Sequence, residues 1–89
     1  MSEREIFLAV LDLQRGVLDV ARARQADARG EAAAAEALRA QARARLASAE
    51  APGPDGAPPR TAQSDEVRFA LRVLRRALGL AERVVAGSS

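Results

Sequence analysis

At 89 residues the chain is long enough for one small domain spanning residues 1–89, or for a fragment that completes its core by association. It contains no His, Cys, Tyr or Lys, which removes the commonest general bases, thiol nucleophiles and metal ligands. All of its basic residues are Arg, and the net charge of +2 holds over a wide pH range because almost nothing titrates between the carboxylates and guanidinium.

Ala, Arg, Leu and Glu dominate, and Val is the only common β-branched residue. This composition specifies an all-α protein. No apolar run approaches the roughly 20 residues of a membrane span. The N-terminal residues MSEREIFLAV start acidic and lack a signal-peptide pattern. We therefore expect a cytoplasmic protein with no membrane association and no cofactor.

The first helix is announced by Ser2-Glu3-Arg4-Glu5, which has the form of a capping box. The stretch from Ile6 to Ala21, IFLAVLDLQRGVLDVA, is too polar for a membrane and too apolar for a lone surface helix. On a helical wheel Asp12, Arg15, Gly16, Asp19 and Arg22 share one arc. Asp12–Arg15, Arg15–Asp19 and Asp19–Arg22 stand at i,i+3 or i,i+4, so this arc reads as a solvated helix back with local charge pairs. Most of the remaining circumference is apolar. Phe7, Val10, Leu11, Gln14, Val17, Leu18 and Ala21 are the candidate interaction residues. Gln14 falls within the apolar arc, where a polar group either specifies register and oligomeric state or reaches water at a bundle edge.

From Arg22 to Ala51 the chain is Ala-rich. Leu38, Ala42, Leu46 and Ala49 form a thin apolar seam, with Glu36, Arg39 and Arg43 on other faces. Gly30 has two readings. It can end one helix at a C′ position and give a three-helix bundle. Alternatively it is tolerated in a helix interior at a cost of about 1 kcal/mol. No Ser, Thr, Asp or Asn follows to cap a new helix, and no Pro appears nearby, so we expect one continuous helix over about residues 3–50.

Residues 51–64, APGPDGAPPRTAQS, hold all four prolines and read as a linker without regular structure. Ser64 is placed to cap a second helix over about residues 65–86, ending at Gly87, with Asp65 and Glu66 in its first turn. Its apolar arc is again wide, running from Val67 and Phe69 through Leu71, Val73, Leu74, Leu78 and Leu80 to Val84 and Val85.

The expected fold is thus a helical hairpin: a long helix, a Pro/Gly linker and a shorter helix. Folded back over the Ala-rich half, the second helix leaves residues 6–21 uncovered. A second copy overlapping through 6–21 then completes a bundle with coiled-coil-like packing.

The serines at Ser2, Ser48, Ser64, Ser88 and Ser89 have no activating base near them in sequence, and there is no phosphate loop or dinucleotide fingerprint. An enzyme is not expected. The expected function is a small helical protein–protein interaction module, an adaptor, docking or assembly-type protein, partnered by a homodimer mate or another helical protein through residues 6–21. The alternative is nucleic-acid binding. Residues 1–64 balance in charge, so the +2 excess lies in the last helix, where Arg68, Arg72, Arg75, Arg76 and Arg83 form a basic stripe able to track phosphates. No aromatic residue interleaves with that stripe and no recognition motif is present.

Overall fold

The computed structural model describes residues 2–87 apart from the side chains of Pro54, Val84, Val85 and Ala86, so Met1, Ser88, Ser89 and the two valines named above lie outside the described set. The fold is all-α. Helix α1 spans Glu3–Ala28, α2 Ala32–Glu50, the short α3 Arg60–Gln63 and α4 Asp65–Gly87. No strand occurs among the described residues. At about 1.5 Å per residue, α1 is about 39 Å long, most of the molecule's 42 Å long axis. No helix among the described residues is long and apolar enough to cross a membrane.

The continuous helix over residues 3–50 does not form, and the turn at Gly30 is the reading that holds. The Gly30 N–H donates to the Asp27 carbonyl (3.0 Å), and the Glu31 N–H donates to the Ala26 carbonyl (2.9 Å). These two bonds make a Schellman motif. It requires a left-handed residue at C′, and Gly30 supplies it with φ 78°. The missing downstream cap proved no obstacle. Glu31 stands at the N-cap of α2 with no side-chain capping bond, and its carbonyl accepts from the Ala35 N–H.

The hairpin turn lays α2 back along α1, and the Leu38–Ala42–Leu46–Ala49 seam does face inward. Ala42 and Ala49 are buried, with Leu38 and Leu46 half-buried. The segment 6–21 therefore does not project beyond the molecule as the long-helix arrangement required. Its inner side is covered within the chain.

The linker is more ordered than its prolines imply. A 3-10 turn at Pro54–Gly56 uses positive φ at Asp55 (56°) and Gly56 (76°), and the Gly53 N–H closes the loop onto the Ala57 carbonyl (2.8 Å). The single turn α3 falls inside the stretch expected to lack regular structure: Pro59 stands at its N-cap, and the Pro59 carbonyl accepts from the Ala62 N–H (3.0 Å). Gln63 Nε2 also donates back to the Pro58 carbonyl (2.8 Å).

Helix α4 begins where Ser64 caps it: Ser64 Oγ accepts from the Val67 N–H (3.3 Å) and donates to Glu66 Oε2 (2.7 Å). This bond holds the Glu66 carboxyl below its ordinary pKa. At the other end of the chain, Ser2 Oγ accepts from the Glu5 N–H (3.2 Å), which starts α1.

One core runs the length of the bundle. Leu13, Val20 and Ala9 of α1 meet Val67, Leu71, Leu74 and Leu78 of α4 and Ala42 and Ala49 of α2. A smaller cluster of Ala23, Ala26 and Ala35, with Leu38 against it, closes the hairpin end. Gly16 is buried against α4, where a Cβ would lie 2.8 Å from Leu74 Cδ2. Its lack of a side chain lets α4 close on α1.

Candidate interaction face

The polar arc of α1 is solvated only in part: Arg15 and Arg22 are exposed, Asp12 is half-buried, and Gly16 and Asp19 are buried. Asp19 is only 4% exposed, and Arg45 of α2 reaches across to it through Nε at 3.1 Å. Arg45 also bonds Asp12 through Nη1. None of the expected local pairs among Asp12, Arg15, Asp19 and Arg22 forms among the described residues. Helix α2 takes the two aspartates instead.

Arg39 was likewise expected away from the core. Its side chain is 8% exposed, and it pairs with Asp27 (2.8 Å) and Glu36 (3.1 Å). Burial alone would lower the Arg39 pKa, yet the bonds to Asp27 and Glu36 outweigh it and raise the pKa above the usual value. The Glu36 carboxyl is held below its ordinary pKa, first by the hydrogen bond from Arg43 and then by that from Arg39. Arg43 also reaches Glu82 of α4 (3.5 Å), and Arg75 reaches Glu50 (2.6 Å). The side of the molecule built on α2 is therefore laced with ion pairs between helices.

The opposite side is apolar. Helices α1 and α4 run parallel and leave a groove between them, with about 560 Å³ of free space at one end. There Val10, Gln14 and Val17 face Phe69 and Val73, with Asp65 and Glu66 at the mouth. Beyond Val17 the same seam opens again, where Ala21 faces Ala77 and Leu80 and the charged Arg24, Asp27 and Arg39 also line it. The α1 row Val10, Gln14, Val17, Ala21 and the α4 row Phe69, Val73, Ala77, Leu80 each span three turns of helix.

Outside the groove the apolar surface continues on the exposed crests. Phe7 is 63% exposed, Leu18 55% and Phe69 64%. Among the described residues every large exposed apolar side chain belongs to α1 or α4, and none to α2. Leu8, on the α1 flank beside the linker, faces Ala57 and Pro58 rather than α4.

All seven interaction residues singled out from the sequence thus share the outer side of α1: Val10, Gln14, Val17 and Ala21 line the groove, while Phe7, Leu11 and Leu18 continue outward. Gln14 is exposed at mid-groove. The contribution of α4 escaped the sequence reading. Phe69, Val73 and Leu80 lay within an apolar arc too wide to divide between core and surface. Their spacing beside the arginines was the available signal.

The basic stripe divides in two. Arg68 is held by Asp65 (3.2 Å) and the Thr61 carbonyl (3.2 Å), and Arg75 by Glu50. Arg72, Arg76 and Arg83 are exposed and form no ion pair among the described residues. No group of three or more potential metal-ligating side chains comes together among the described residues.

No protein-family model matches the chain, and neither the curated proteins nor the solved structures yield a match.

Proposed function

We propose that this chain is a non-enzymatic helical protein–protein interaction module, of adaptor, docking or assembly type, that engages a helical partner through the α1–α4 face. One observation carries the reading: the exposed Phe7, Leu18, Phe69, Val73 and Leu80 all gather on α1 and α4, the two helices that frame an open apolar groove. Apolar surface concentrated in this way on a soluble-sized domain marks an interaction site. A groove between two helices, lined once per turn over three turns, suits helix-in-groove recognition. The residue inventory supports a binding role over a catalytic one, since the chain holds no His, Cys, Lys or Tyr. The nucleic-acid reading is the weaker one, because Arg68 and Arg75 of its stripe are already engaged by Asp65 and Glu50.

The test is sedimentation velocity on the chain, alone and with designed amphipathic helical peptides, beside Leu18→Asp and Val73→Asp. Self-association or peptide binding that both variants abolish, while thermal melts stay unchanged, supports the reading. A chain that stays monomeric and binds no peptide, or whose association ignores both substitutions, overturns it.

A further inference from the structure

Two observations together define what the groove takes. First, six carboxylates are committed on the α2 side. Asp12 and Asp19 serve Arg45, Asp27 and Glu36 serve Arg39, and Glu50 and Glu82 serve Arg75 and Arg43. Second, both outer edges of the apolar face are lined by exposed arginines. On α4 each exposed apolar crest is followed three residues later by one: Phe69 by Arg72, Val73 by Arg76, Leu80 by Arg83. On α1 the half-buried Leu11 and the exposed crest Leu18 are followed four residues later by Arg15 and Arg22. Side chains three and four apart on a helix are neighbours on its surface. These five arginines form no ion pair among the described residues, and they stand beside apolar side chains rather than in a charge network.

We propose that the α1–α4 groove binds an acidic amphipathic helix: an apolar stripe that fills the groove, flanked on both sides by Asp or Glu that meet the arginine edges. The proposal rests on the interaction-module reading and names the chemistry of the partner. Arginine-lined outer edges beside an apolar groove select by sign, attracting opposite charge and penalising like charge. They also argue against a second copy as the occupant. Of the acids lining the groove, Asp27 is paired with Arg39, and Asp65 and Glu66 sit together at the N-terminal end of α4. In an antiparallel pairing of two such faces they reach only the far end of the partner face, leaving the central Arg15, Arg72 and Arg76 against arginines of the same kind. A flat anionic surface offers no ridge to enter the groove.

The partner helix runs antiparallel to α1 and α4. Its N-terminus, where acidic residues are favoured by the helix dipole, then lies by Arg22 and Arg83. Gln14, exposed at mid-groove, is placed to hydrogen-bond a polar side chain there.

The test uses two synthetic helical peptides with one Leu-based apolar stripe, one flanked by Glu and the other by Lys. They are titrated into the full chain by fluorescence anisotropy at low and high salt. The Glu peptide is expected to bind at least about tenfold more tightly than the Lys peptide. That preference should shrink with salt and should be lost in Arg22→Glu with Arg76→Glu. Circular dichroism on the double variant verifies that it remains helical. Equal binding of the two peptides leaves the docking face standing and overturns the charge selection. Binding of neither peptide removes the docking face itself. Self-association through the face that the Glu peptide cannot displace identifies a second copy and overturns the proposal. Equally, attachment to anionic phospholipid vesicles in preference to the Glu peptide overturns it.

Discussion

Asp19 lies one residue from the core valine Val20, and its carboxylate is met by Arg45 from a helix 26 residues further along the chain (Nε–Oδ2 3.1 Å). With Asp19 4% exposed, the bond leaves no buried side-chain polar atom unpaired there. Removing one partner of a buried pair strands the other in a site that water does not reach. Arg45→Met is therefore expected to destabilise the fold by about 3 kcal/mol, read from the midpoint of urea unfolding. Adding Asp19→Leu should recover most of that loss, because an apolar pair fits the same place. Failure of the second change to recover stability would show that Asp19 contributes through other contacts.

Acid should loosen the molecule through carboxylates that the fold holds ionised. Glu36 and Glu66 both have pKa values lowered from 4.5, Glu36 chiefly by the Arg43 hydrogen bond and Glu66 chiefly by Ser64. A depressed carboxylate contributes stability above its unfolded pKa and loses it as pH falls through the folded value. The melting temperature should hence be flat from neutral pH down to about pH 5 and fall below the usual carboxylate range. Glu36→Gln should flatten part of that fall. A marked change in melting temperature around pH 6–7 would contradict this, since the chain has no His.

The two apolar populations of α4 should separate cleanly by mutation. Leu74 is 0% exposed and packs over Gly16, so Leu74→Ala is expected to cost about 2–5 kcal/mol. Phe69→Ala, on an exposed crest, should change stability by no more than about 0.5 kcal/mol. Phe69→Ala is nevertheless expected to weaken partner binding. Thermal unfolding and peptide anisotropy on the same samples check both halves.

Gly16 should resist even small additions. A Cβ there meets Leu74 Cδ2 at 2.8 Å and Cδ1 at 3.0 Å, and the fully buried Leu74 has little room to move. Gly16→Val is expected to destabilise by about 1–3 kcal/mol, although any such change removes a flexible glycine from a helix. A stabilised variant in urea unfolding would show that α4 can shift away without loss.

Signals that are local in the chain survived the comparison with the structure. Ser2 and Ser64 start their helices because a capping hydroxyl acts within three residues of itself. The end of α2 before the prolines and the inward seam of α2 are equally local, whereas the helical turn at Arg60–Gln63 lies within a stretch expected to have no regular structure. What could not be read was long-range. Asp19 looked paired with Arg15 or Arg22 because nothing nearby announces Arg45. The turn at Gly30 was underweighted because a helix end of this type needs only a left-handed residue and backbone bonds. The Ala, Arg and Glu on both sides of it favour helix equally. The groove could not be foreseen because it exists only once two reversals of direction have set α1 and α4 parallel.

Straightening that same turn is expected to open a second way for the molecule to fold. Arg29-Gly30-Glu31 separates two segments that are each good helix formers, and the Schellman geometry depends on a φ of 78° that only glycine adopts without strain. Gly30→Ala should cost the bent form about 1–2 kcal/mol, while a straight helix through residue 30 gains from the alanine. The arm that swings out still carries Asp12, Asp19 and Leu13, whose partners remain on α2 and α4. In the straightened chain those partners are best supplied by another molecule in the same condition, each lending its first helix to the other. Gly30→Ala is accordingly expected to convert monomers into exchanged dimers at high concentration, detectable by light scattering and slow to revert on dilution.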